Sequence, residues 1–568
     1  MIYQHLRDAL EELTAHDSLF AVSEMEIKGE TMRGFLLAPP SMRDIWSLTI
    51  AKADNEYLVY DEERWTYTQT HEEVASVANW LVSQGIKPGD KVAVAMRNYP
   101  EWVIAYWAIL SIGAVCVGMN AWWISEEMQY AIDDSKPDII ISDAGCYRHI
   151  EPLRAQFPNI KIVGVRFKEE AENVIPYQEL KNFGGDLPQP EIDPDDIACV
   201  FYTSGTTGFP KGAQLTHRSC IANLMNYLCM MRAVDVAVAR EAGTEDQLAP
   251  IGEGDPVNVL LTTPLFHVTA NNCAMQPVTM IGGKIVFMYK WDAGEALKII
   301  EKEKISSITG VPVMSRELIN HPDFDKYDTS TVQTLGGGGS AFQPDLIKDI
   351  DAKLSNGKPG TGYGMTEVSG IIAGISKEFS VMHPDSVGPV VVTMDARIVN
   401  GAGEDVPQGE IGEICVRGPN VFAGYLNKPE ATAETIRDGW LHTGDVGRLD
   451  ENGFLYITDR IKDMLIRGGE NIYSAEVEVA LYKNTAIAEC AVFGVPDDRL
   501  GEEVGAAVFL KPGEAQSADD IREACREHLA PFKVPRYIWV AQENLPRNAS
   551  GKILKKGMLD LFDLTDAQ

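Results

Sequence analysis

Short runs of apolar, mostly β-branched residues recur between Lys91 and Pro312, and segments with a helical apolar pattern follow them. Strands of this kind that alternate with amphipathic helices indicate parallel sheets covered by helices on both faces. The pattern therefore predicts an α/β fold built on doubly wound sheets. The predicted strands lie at residues 91–96, 138–143, 161–165, 197–202, 257–263, 284–288 and 306–312.

One segment is apolar throughout. Residues 102–119 (WVIAYWAILSIGAVCVGM) carry no charge and are long enough to span a bilayer. The alternative is a buried helix at 101–111, broken near Gly113, and a buried strand at 114–119. The flanks lack the Lys/Arg cluster that orients a membrane span. The sequence therefore favours the buried helix and strand, with no integral membrane span.

The pattern changes after Val387, where glycines separate short strands (ARIVN, GEICVRG, LHTGDVGRLD and FLYITDR). This texture is typical of a small antiparallel, β-barrel-like region that closes a larger domain. Beyond Arg460 the sequence predicts a helix in SAEVEVALYKN and a strand in IAECAVFGVPD. A second helix, SADDIREACREHL, begins at a serine N-cap. These elements fit a compact α+β unit.

The length of 568 residues exceeds what one hydrophobic core usually supports. We expect a large N-terminal domain at 1–458, a domain boundary at 459–463 and a small domain at 464–568. The N-terminal extension, 1–40, begins with an acidic amphipathic helix and lacks the apolar core of a signal peptide. This extension is a candidate for packing between the subunits of a homodimer, and the sequence leaves the oligomeric state open.

Composition narrows the partners and the location. The formal net charge of −33 disfavours nonspecific binding to nucleic acid or to anionic membranes. The nine cysteines include no C-x-x-C pair and no Cys/His cluster at zinc spacing. This pattern predicts a cytoplasmic protein with reduced thiols and no structural metal.

The stretch YTSGTTGFPKG, residues 202–212, directly follows a predicted buried strand. Its glycines allow successive backbone amides to face one anion, and its hydroxyls and single lysine add donors and charge. It fails the P-loop pattern G-x-x-x-x-G-K-[ST], because Pro210 stands five residues after Gly205 and Gly212 follows Lys211. A flexible turn rarely concentrates such groups after a buried strand, so the composition favours a phosphate-binding loop of another type.

This loop resembles the signature loop of the adenylate-forming superfamily, which comprises acyl- and aryl-CoA synthetases, peptide-synthetase adenylation domains and beetle luciferases. Five further motifs match that superfamily in order over roughly residues 40–560: GYGMTE (362–367), WLHTGD (440–445), DRIKD (459–463), RGGENIYSAEVE (467–478) and PRNASGK (546–552). The resemblance implies an ATP-dependent acid–thiol ligase with ATP, Mg²⁺ and coenzyme A as cofactors. A carboxylate attacks the α-phosphate to give an acyl-adenylate and pyrophosphate, and a thiol then displaces AMP.

The resemblance also assigns nucleotide contacts residue by residue. Tyr363 is expected to stack on adenine, Thr366 to bind the α-phosphate and Glu367 to hold Mg²⁺, a hard-oxygen role that suits a carboxylate. Asp445 is expected to accept the ribose hydroxyls with support from Arg460, while His442 is expected to be structural. The remaining expected cofactor contacts are Thr203, Ser204, Gly205, Thr206 (also a metal ligand), Thr207, Gly208, Lys211, Gly339 and Ser340.

Two C-terminal lysines receive roles by the same resemblance. Lys552 is expected to reach the α-phosphate and carboxylate and to stabilise the first transition state, together with Thr366, Glu367 and Lys211. Lys462 is the expected hinge residue, about which the small domain rotates between the half-reactions. After rotation, the loop with Gly469, Glu470 and Asn471 is expected to help form the pantetheine tunnel; Arg467 stands where many relatives carry a small residue, which leaves its contact with coenzyme A open.

PLFHVTANN (264–272) resembles the acyl-pocket helix of the superfamily, with His267, Thr269 and Ala270 as expected pocket residues. A second wall is expected from TLGGGGSAF (334–342) with Gly337 and Gly338, where missing side chains make space, although glycine can equally reflect close backbone packing. Gly364 of GYGMTE is a further expected substrate contact. No acid lies between Thr262 and Cys273 to pair with a substrate amine, so amino acids are disfavoured. The sequence favours medium- or long-chain fatty acids.

Other readings of the same motifs stay open. Aryl carboxylates of the cinnamate or benzoate kind are the second substrate class. A carrier protein instead of coenzyme A as acceptor, or a luciferase-like oxidase, would share all the ATP motifs. A catalytically dead nucleotide-binding scaffold is the non-enzyme alternative, and the presence of Glu367, Asp445, Arg460 and Lys552 together opposes it.

Overall fold

The computed structural model describes residues 2–203, 210–250, 253–254, 257–339, 342–468, 470–511, 513–547, 553–555 and 557–562. Its contacts divide the chain into two compact units. The first comprises Met1–Asp395 and Arg417–Leu441, and the second comprises Ala396–Val416 and His442–Gln568. The α/β class expected from the apolar runs is confirmed.

The first sheet of the large unit is parallel in its centre and antiparallel at one edge. Because its central strands carry apolar side chains on both faces, they lie buried between helices. From edge to edge its strands are Gly424–Tyr425, Lys211–Thr216, Ile197–Thr203, Val115–Gly118, Lys91–Ala95, Ile139–Asp143, Lys161–Val165 and Val174–Pro176.

The second sheet has the same character, with a parallel centre and an antiparallel strand at each edge. Every strand predicted from the apolar runs lies in one of these two sheets. From edge to edge its strands are Gly370–Ser376, Lys358–Met365, Thr334–Gly337, Ser307–Gly310, Asn258–Leu261, Lys284–Phe287, Glu56–Tyr60 and Glu63–Thr66. Val22–Ile27 and Glu30–Phe35 form a separate hairpin, and Gly388–Pro389 and Ile436–Arg437 are short strands.

Capping groups define several helix starts. Thr66 and Gln69 form a capping box at the start of the helix Tyr67–Ser83. Thr216 and Ser219 form another at the start of His217–Ala242. In each box the two side chains accept hydrogen bonds from backbone amides at the helix start. The helices of the large unit are Ile2–Thr14, Met42–Leu48, Tyr67–Ser83, Pro100–Ser111, Ser125–Ser135, Ala144–Ile150, Tyr177–Lys181, His217–Ala242, Val268–Ala270, Asn271–Met275 (a π-helix), Gln276–Ile281, Ala293–Glu303, Pro312–Ile319, Pro344–Lys353, Glu378–Met382 and Pro429–Thr435. Its 3₁₀ turns are Thr49–Lys52, Glu151–Leu153, Glu245–Gln247, Phe324–Lys326 and Thr366–Val368.

The second unit contains two sheets and few helices. Asp395–Val399, Gly412–Arg417, Trp440–Leu449 and Phe454–Arg460 are neighbours in the first. Glu470–Ile472, Leu465–Arg467, Gly501–Leu510 and Ile487–Asp497 follow one another in the second, and Tyr537–Ala541 pairs with Gly501–Leu510. Its helices are Ser474–Tyr482 and Ala518–Arg526, and its 3₁₀ turns are Pro531–Lys533 and Met558–Leu561. Ser517 caps Ala518–Arg526, as the sequence predicts.

The uniformly apolar segment folds as expected into a helix, Pro100–Ser111, and a strand, Val115–Gly118, both buried throughout. A different helix, His217–Ala242, is long and apolar enough to cross a membrane by length and composition. Of its most apolar window, 67% is buried in the protein, as in a core helix.

The compact units differ from the predicted domain limits. Residues 396–416 and 442–458 group with the C-terminal residues. One cause is visible at Asp459, which accepts hydrogen bonds from Ser474 Oγ at 3.2 Å and from the amide of Ala475 at 3.4 Å. Asp459 thereby joins the strand Phe454–Arg460 to the start of the helix Ser474–Tyr482. The hinge at 459–463 lies inside the second unit, and its role stays a prediction.

Candidate functional site

The glycine- and hydroxyl-rich loop sits at the end of a strand pair in the large unit. Ile197–Thr203 and Lys211–Thr216 are antiparallel neighbours, with Thr203 opposite Lys211. Thr203 Oγ1 donates to the carbonyl oxygen of Lys211 at 3.4 Å. The strand pair therefore fixes both ends of the loop. Ser204, Gly205, Thr206, Thr207 and Gly208 lie outside the described residues.

A tyrosine joins this loop to the predicted magnesium ligand. Tyr425 Oη donates to Glu367 Oε1 at 2.6 Å, and Lys211 Nζ lies 4.6 Å from the centroid of the Tyr425 ring. Only 7% of Tyr425 and 6% of Glu367 is exposed. Burial and the neighbouring Glu367 charge raise the pKa of Tyr425, so its hydroxyl stays protonated and donates. Lys211 and Glu367 thus belong to one cluster through Tyr425.

The turn that carries Glu367 follows directly from a central strand. Lys358–Met365 ends in the 3₁₀ turn Thr366–Val368, and Ser369 after it has a positive φ of 59°. Tyr363 and Thr366 are half-buried. The amide of Phe422 donates to the carbonyl oxygen of Glu367 at 2.9 Å, which ties the turn to the chain just before Tyr425. Polar groups therefore gather at the carboxyl ends of parallel strands, where α/β folds bind ligands.

Two of the glycines expected to open the acyl pocket, Gly337 and Gly364, pack closely against neighbouring backbone, and their place in that pocket stays a prediction. A Cβ atom at Gly337 would lie 1.9 Å from the carbonyl oxygen of Gly310, and one at Gly364 would lie 1.7 Å from that of Gly370. At Gly338 the nearest backbone oxygen would be 2.9 Å away. Gly339 alone among these faces open space. Ser340 lies outside the described residues. The packing alternative therefore explains Gly337 and Gly364.

The segment expected to line the acyl pocket is an interrupted helix. Val268–Ala270 continues through the π-helical turn Asn271–Met275 into Gln276–Ile281, and π-helical turns inside helices are frequent at functional sites. His267 precedes it, with Nε2 buried and without a hydrogen-bond partner among the described residues. Burial lowers the pKa of His267 to about 4, so its ring is neutral near pH 7. Thr269 is half-buried and Ala270 is buried.

The predicted ribose ligand lies in the second unit beside its predicted partner. Asp445 and Arg460 are opposite each other on neighbouring strands, and Arg460 Nε lies 3.1 Å from Asp445 Oδ1. Thr443 Oγ1 accepts from the amide of Asp445 at 3.0 Å, and Gly444 between them has a positive φ of 71°. The structure thus brings together the two residues that the sequence motifs paired.

The residues assigned to the second half-reaction are only partly described. Lys462 and Glu470 are exposed, and Asn471 lies in the strand Glu470–Ile472. Gly469 and Lys552 lie outside the described residues. Arg467 forms a two-pronged ion pair with Glu503, at 2.7 and 2.9 Å. This pair occupies the guanidinium of Arg467 within the protein, which accounts for a large side chain at that position.

Two contributors were missed by sequence reasoning. Tyr425 is a single aromatic residue in a segment without a recognisable motif, so only the fold reveals its contact with Glu367. Lys555 Nζ lies 2.7 Å from Glu478 Oε1 and donates to Ser474 Oγ at 2.6 Å. Burial raises the pKa of Glu478; burial alone would lower the pKa of Lys555, but the Glu478 charge raises it overall. The sequence signal that could have pointed to Lys555 is its position three residues after the motif PRNASGK (546–552).

Comparisons with known proteins agree with this geometry. The family described as AMP-binding enzyme matches residues 50–426, and the AMP-binding enzyme C-terminal domain matches residues 476–552. A feruloyl-CoA synthase of Amycolatopsis sp is 35% identical over 491 residues, covering 86% of this chain and 92% of that protein. A long-chain-fatty-acid–CoA ligase of Bacillus subtilis (strain 168) is 33% identical over 543 residues, covering 89% and 92%. The structure of ATP-bound MatB from Rhodopseudomonas palustris is similar with a TM-score of 0.80 at 26% identity, covering 91% of this chain and 98% of that one.

Proposed function

Because the chain belongs to the AMP-binding enzyme family, we propose that it activates a medium- or long-chain fatty acid as an acyl-adenylate and transfers the acyl group to coenzyme A. At the coarser level the protein is an acyl- or aryl-CoA ligase of the adenylate-forming kind. Its cofactors are ATP, Mg²⁺ and coenzyme A.

The observation that carries the proposal is the cluster of Lys211, Tyr425 and Glu367. A buried carboxylate beside a cation at the mouth of a glycine-rich loop suits a site for a nucleotide and a hard cation. Mg²⁺ bound by Glu367 would neutralise charge on the phosphate oxygens. The hydrogen bond from Tyr425 would hold the Glu367 carboxylate in one orientation, and Lys211 would offset the charge of the outer phosphates.

The remaining roles concern the α-phosphate and the sugar. Thr366, which follows the strand Lys358–Met365, would donate to the α-phosphate, and Tyr363 would stack on the base. Asp445 would accept both ribose hydroxyls, with Arg460 fixing its orientation through their 3.1 Å contact. Lys552 would supply positive charge to the α-phosphate and the attacking carboxylate, where negative charge develops in the transition state. Rotation about Lys462 would follow adenylate formation.

The acid is the least constrained part of the proposal. A neutral His267 and the absence of acidic residues between Thr262 and Cys273 support an uncharged acyl chain rather than an amino acid. The similarity to a long-chain-fatty-acid–CoA ligase supports the same choice. An aryl carboxylate is the second candidate, because a relative of comparable similarity is a feruloyl-CoA synthase. All nine cysteines are free thiols, which supports a cytoplasmic location within the proposal.

The proposal is tested by pyrophosphate release with ATP and Mg²⁺ across straight-chain and aromatic acids, with and without coenzyme A. We expect the highest kcat/KM with a medium- or long-chain acid and an acyl-CoA product only when coenzyme A is present. A preference for aromatic acids would select the second candidate. No ATP-dependent release with any acid would refute the enzyme hypothesis.

The role of Lys552 has its own test. Lys552→Ala should slow pyrophosphate release on the order of a hundredfold or more, because a preorganised charge is lost. The variant should largely keep thioester formation from supplied acyl-adenylate and coenzyme A. Lys511→Ala, at an exposed lysine of the same unit, is the control and should leave both rates unchanged. Equal losses in both half-reactions of Lys552→Ala would contradict the assignment.

A further inference from the structure

Three potential metal ligands of different chemistry converge in the second unit. Glu413 Oε2 lies 2.9 Å from His442 Nδ1, and Cys415 Sγ lies 3.3 Å from the same ring nitrogen. All three ligand atoms lie within 4.8 Å of one another. The convergence is a product of the sheet, because Glu413 and Cys415 are two residues apart on one strand and His442 is on its neighbour.

The cluster is mostly shielded from water. Cys415 is buried, the His442 side chain is 9% exposed and the Glu413 side chain is 19% exposed. Glu413 provides the opening to solvent, so a cation could enter past its carboxylate. Shielded thiol and imidazole ligands with one open side are typical of transition-metal sites, whereas Mg²⁺ prefers oxygen ligands and keeps several waters.

One ring nitrogen, His442 Nδ1, faces both the Glu413 carboxylate and the Cys415 thiol. A neutral imidazole carries one ring N–H. If Nδ1 is protonated, it donates a hydrogen bond to Glu413 or divides that bond between Glu413 and Cys415. If Nδ1 is unprotonated, it accepts a hydrogen bond from the Cys415 thiol. A divalent cation would engage all three atoms at once. Tetrahedral zinc geometry requires N···S and N···O separations of about 3.3–3.6 Å, and the observed 3.3 and 2.9 Å need only a small expansion.

We propose that Glu413 Oε2, Cys415 Sγ and His442 Nδ1 bind one divalent cation of the zinc class, with the fourth coordination position open. A carboxylate, a thiolate and a neutral imidazole carry two negative charges, which matches a divalent ion. Cation binding forms three metal–ligand bonds and releases the Cys415 thiol proton to solvent. This assignment differs from the expectation of no structural metal, because the ligands come from two strands and not from one contiguous motif.

The site adjoins the turn that carries Asp445. Glu413 Oε1 accepts from the amide of Gly444 at 3.2 Å, and Thr443 Oγ1 donates to the carbonyl oxygen of Ile414 at 2.8 Å. Coordination through Oε2 leaves Oε1 available for Gly444, so the cation would fix this turn and raise the stability of the second unit. Any effect on ATP binding rests on the proposed role of Asp445, whereas cation binding itself does not.

The test uses the full-length protein after chelator treatment and requires no enzymatic activity. Titration with Co²⁺ should give one equivalent of binding, with the visible bands of a tetrahedral ion and a thiolate-to-metal charge-transfer band. Binding of Co²⁺ or Zn²⁺ to the metal-free protein should release about one proton per site and raise the thermal midpoint, and Zn²⁺ should displace Co²⁺ without further proton release. Cys415→Ser should abolish the charge-transfer band and weaken Zn²⁺ binding at least tenfold. His442→Gln should also weaken Zn²⁺ binding at least tenfold.

Cys525→Ser is the matched control, since Cys525 is also a buried thiol of the second unit and should leave the cobalt spectrum unchanged. Circular dichroism confirms that each variant is folded, and Glu413→Gln provides an independent ligand variant if Cys415→Ser does not fold. Absence of the tetrahedral cobalt spectrum in the wild-type protein, or an equal spectrum in Cys415→Ser, would overturn the proposal. The cluster would then be a hydrogen-bonded triad only.

Discussion

The contact between Tyr425 and Glu367 offers a direct test of how the candidate nucleotide site is built. Tyr425→Phe removes one hydroxyl, which donates to Glu367 Oε1 at 2.6 Å, and keeps the ring that lies 4.6 Å from Lys211 Nζ. Both partners are nearly inaccessible to water, at 7% and 6% exposure. Water therefore cannot readily replace the lost donor in the folded protein.

The size of the effect follows from the type of hydrogen bond. A hydrogen bond to a charged group contributes about 1.5–3 kcal/mol net. Tyr425→Phe should lower the stability of the first unit by an amount in that range. If Glu367 binds Mg²⁺, the loss of its fixed orientation should also slow ATP-dependent pyrophosphate release, by roughly tenfold for each 1.4 kcal/mol of lost transition-state stabilisation.

A second buried tyrosine–glutamate pair provides a matched control. Tyr177 Oη donates to Glu73 Oε1 at 3.0 Å, and both residues are buried in the same unit. Tyr177→Phe should destabilise the protein by a similar amount and leave turnover unchanged at a temperature well below the unfolding transition. The assay compares pyrophosphate release at several Mg²⁺ concentrations with thermal midpoints for both variants. Only Tyr425→Phe should show a slower rate and a higher Mg²⁺ requirement.

Two results would contradict this reasoning. If Tyr425→Phe lost stability but kept wild-type rates at every Mg²⁺ concentration, the hydrogen bond would be structural and Glu367 would not need it for function. If Tyr177→Phe slowed the reaction as much as Tyr425→Phe, the loss would reflect general destabilisation and not the metal ligand.

Two further predictions concern buried charge. Burial lowers the pKa of His217 to about 4, so the unfolded state binds more protons than the folded state between about pH 6.5 and 4. The contribution of neutral His217 to the free energy of unfolding should therefore be fully present above about pH 6.5. The free energy of unfolding should fall by up to about 3 kcal/mol as the pH drops to 4. His217→Asn should show a smaller decrease in thermal midpoint between pH 7 and 5, and an unchanged decrease would refute the assignment. Lys555→Met should destabilise the second unit by about 3–5 kcal/mol, because Glu478 would lose its buried partner. Adding Glu478→Gln should restore much of the thermal midpoint, and no recovery would show that the ion pair is not the cause.

The sequence determined the secondary structure and the family of this protein. Apolar runs located eight of the sixteen strands of the two large sheets, because buried parallel strands need apolar side chains on both faces. Six ordered motifs identified the family because backbone approach to phosphate and the charge chemistry of a nucleotide require particular residue types at fixed spacing. The pairing of Asp445 with Arg460 also follows from adjacent motifs on neighbouring strands.

Only the tertiary structure decided which side chains meet across distant parts of the chain. Tyr425 reaches Glu367, and His442 reaches Glu413 and Cys415, through sheet pairing that brings separate segments together. The sequence does not distinguish a glycine that opens a pocket from one that packs closely against backbone. At Gly337 and Gly364 the structure shows close packing, because a neighbouring carbonyl oxygen lies where a Cβ atom would be. A linear pattern specifies which face a residue takes in its own element, whereas a contact depends on the register and order of other strands.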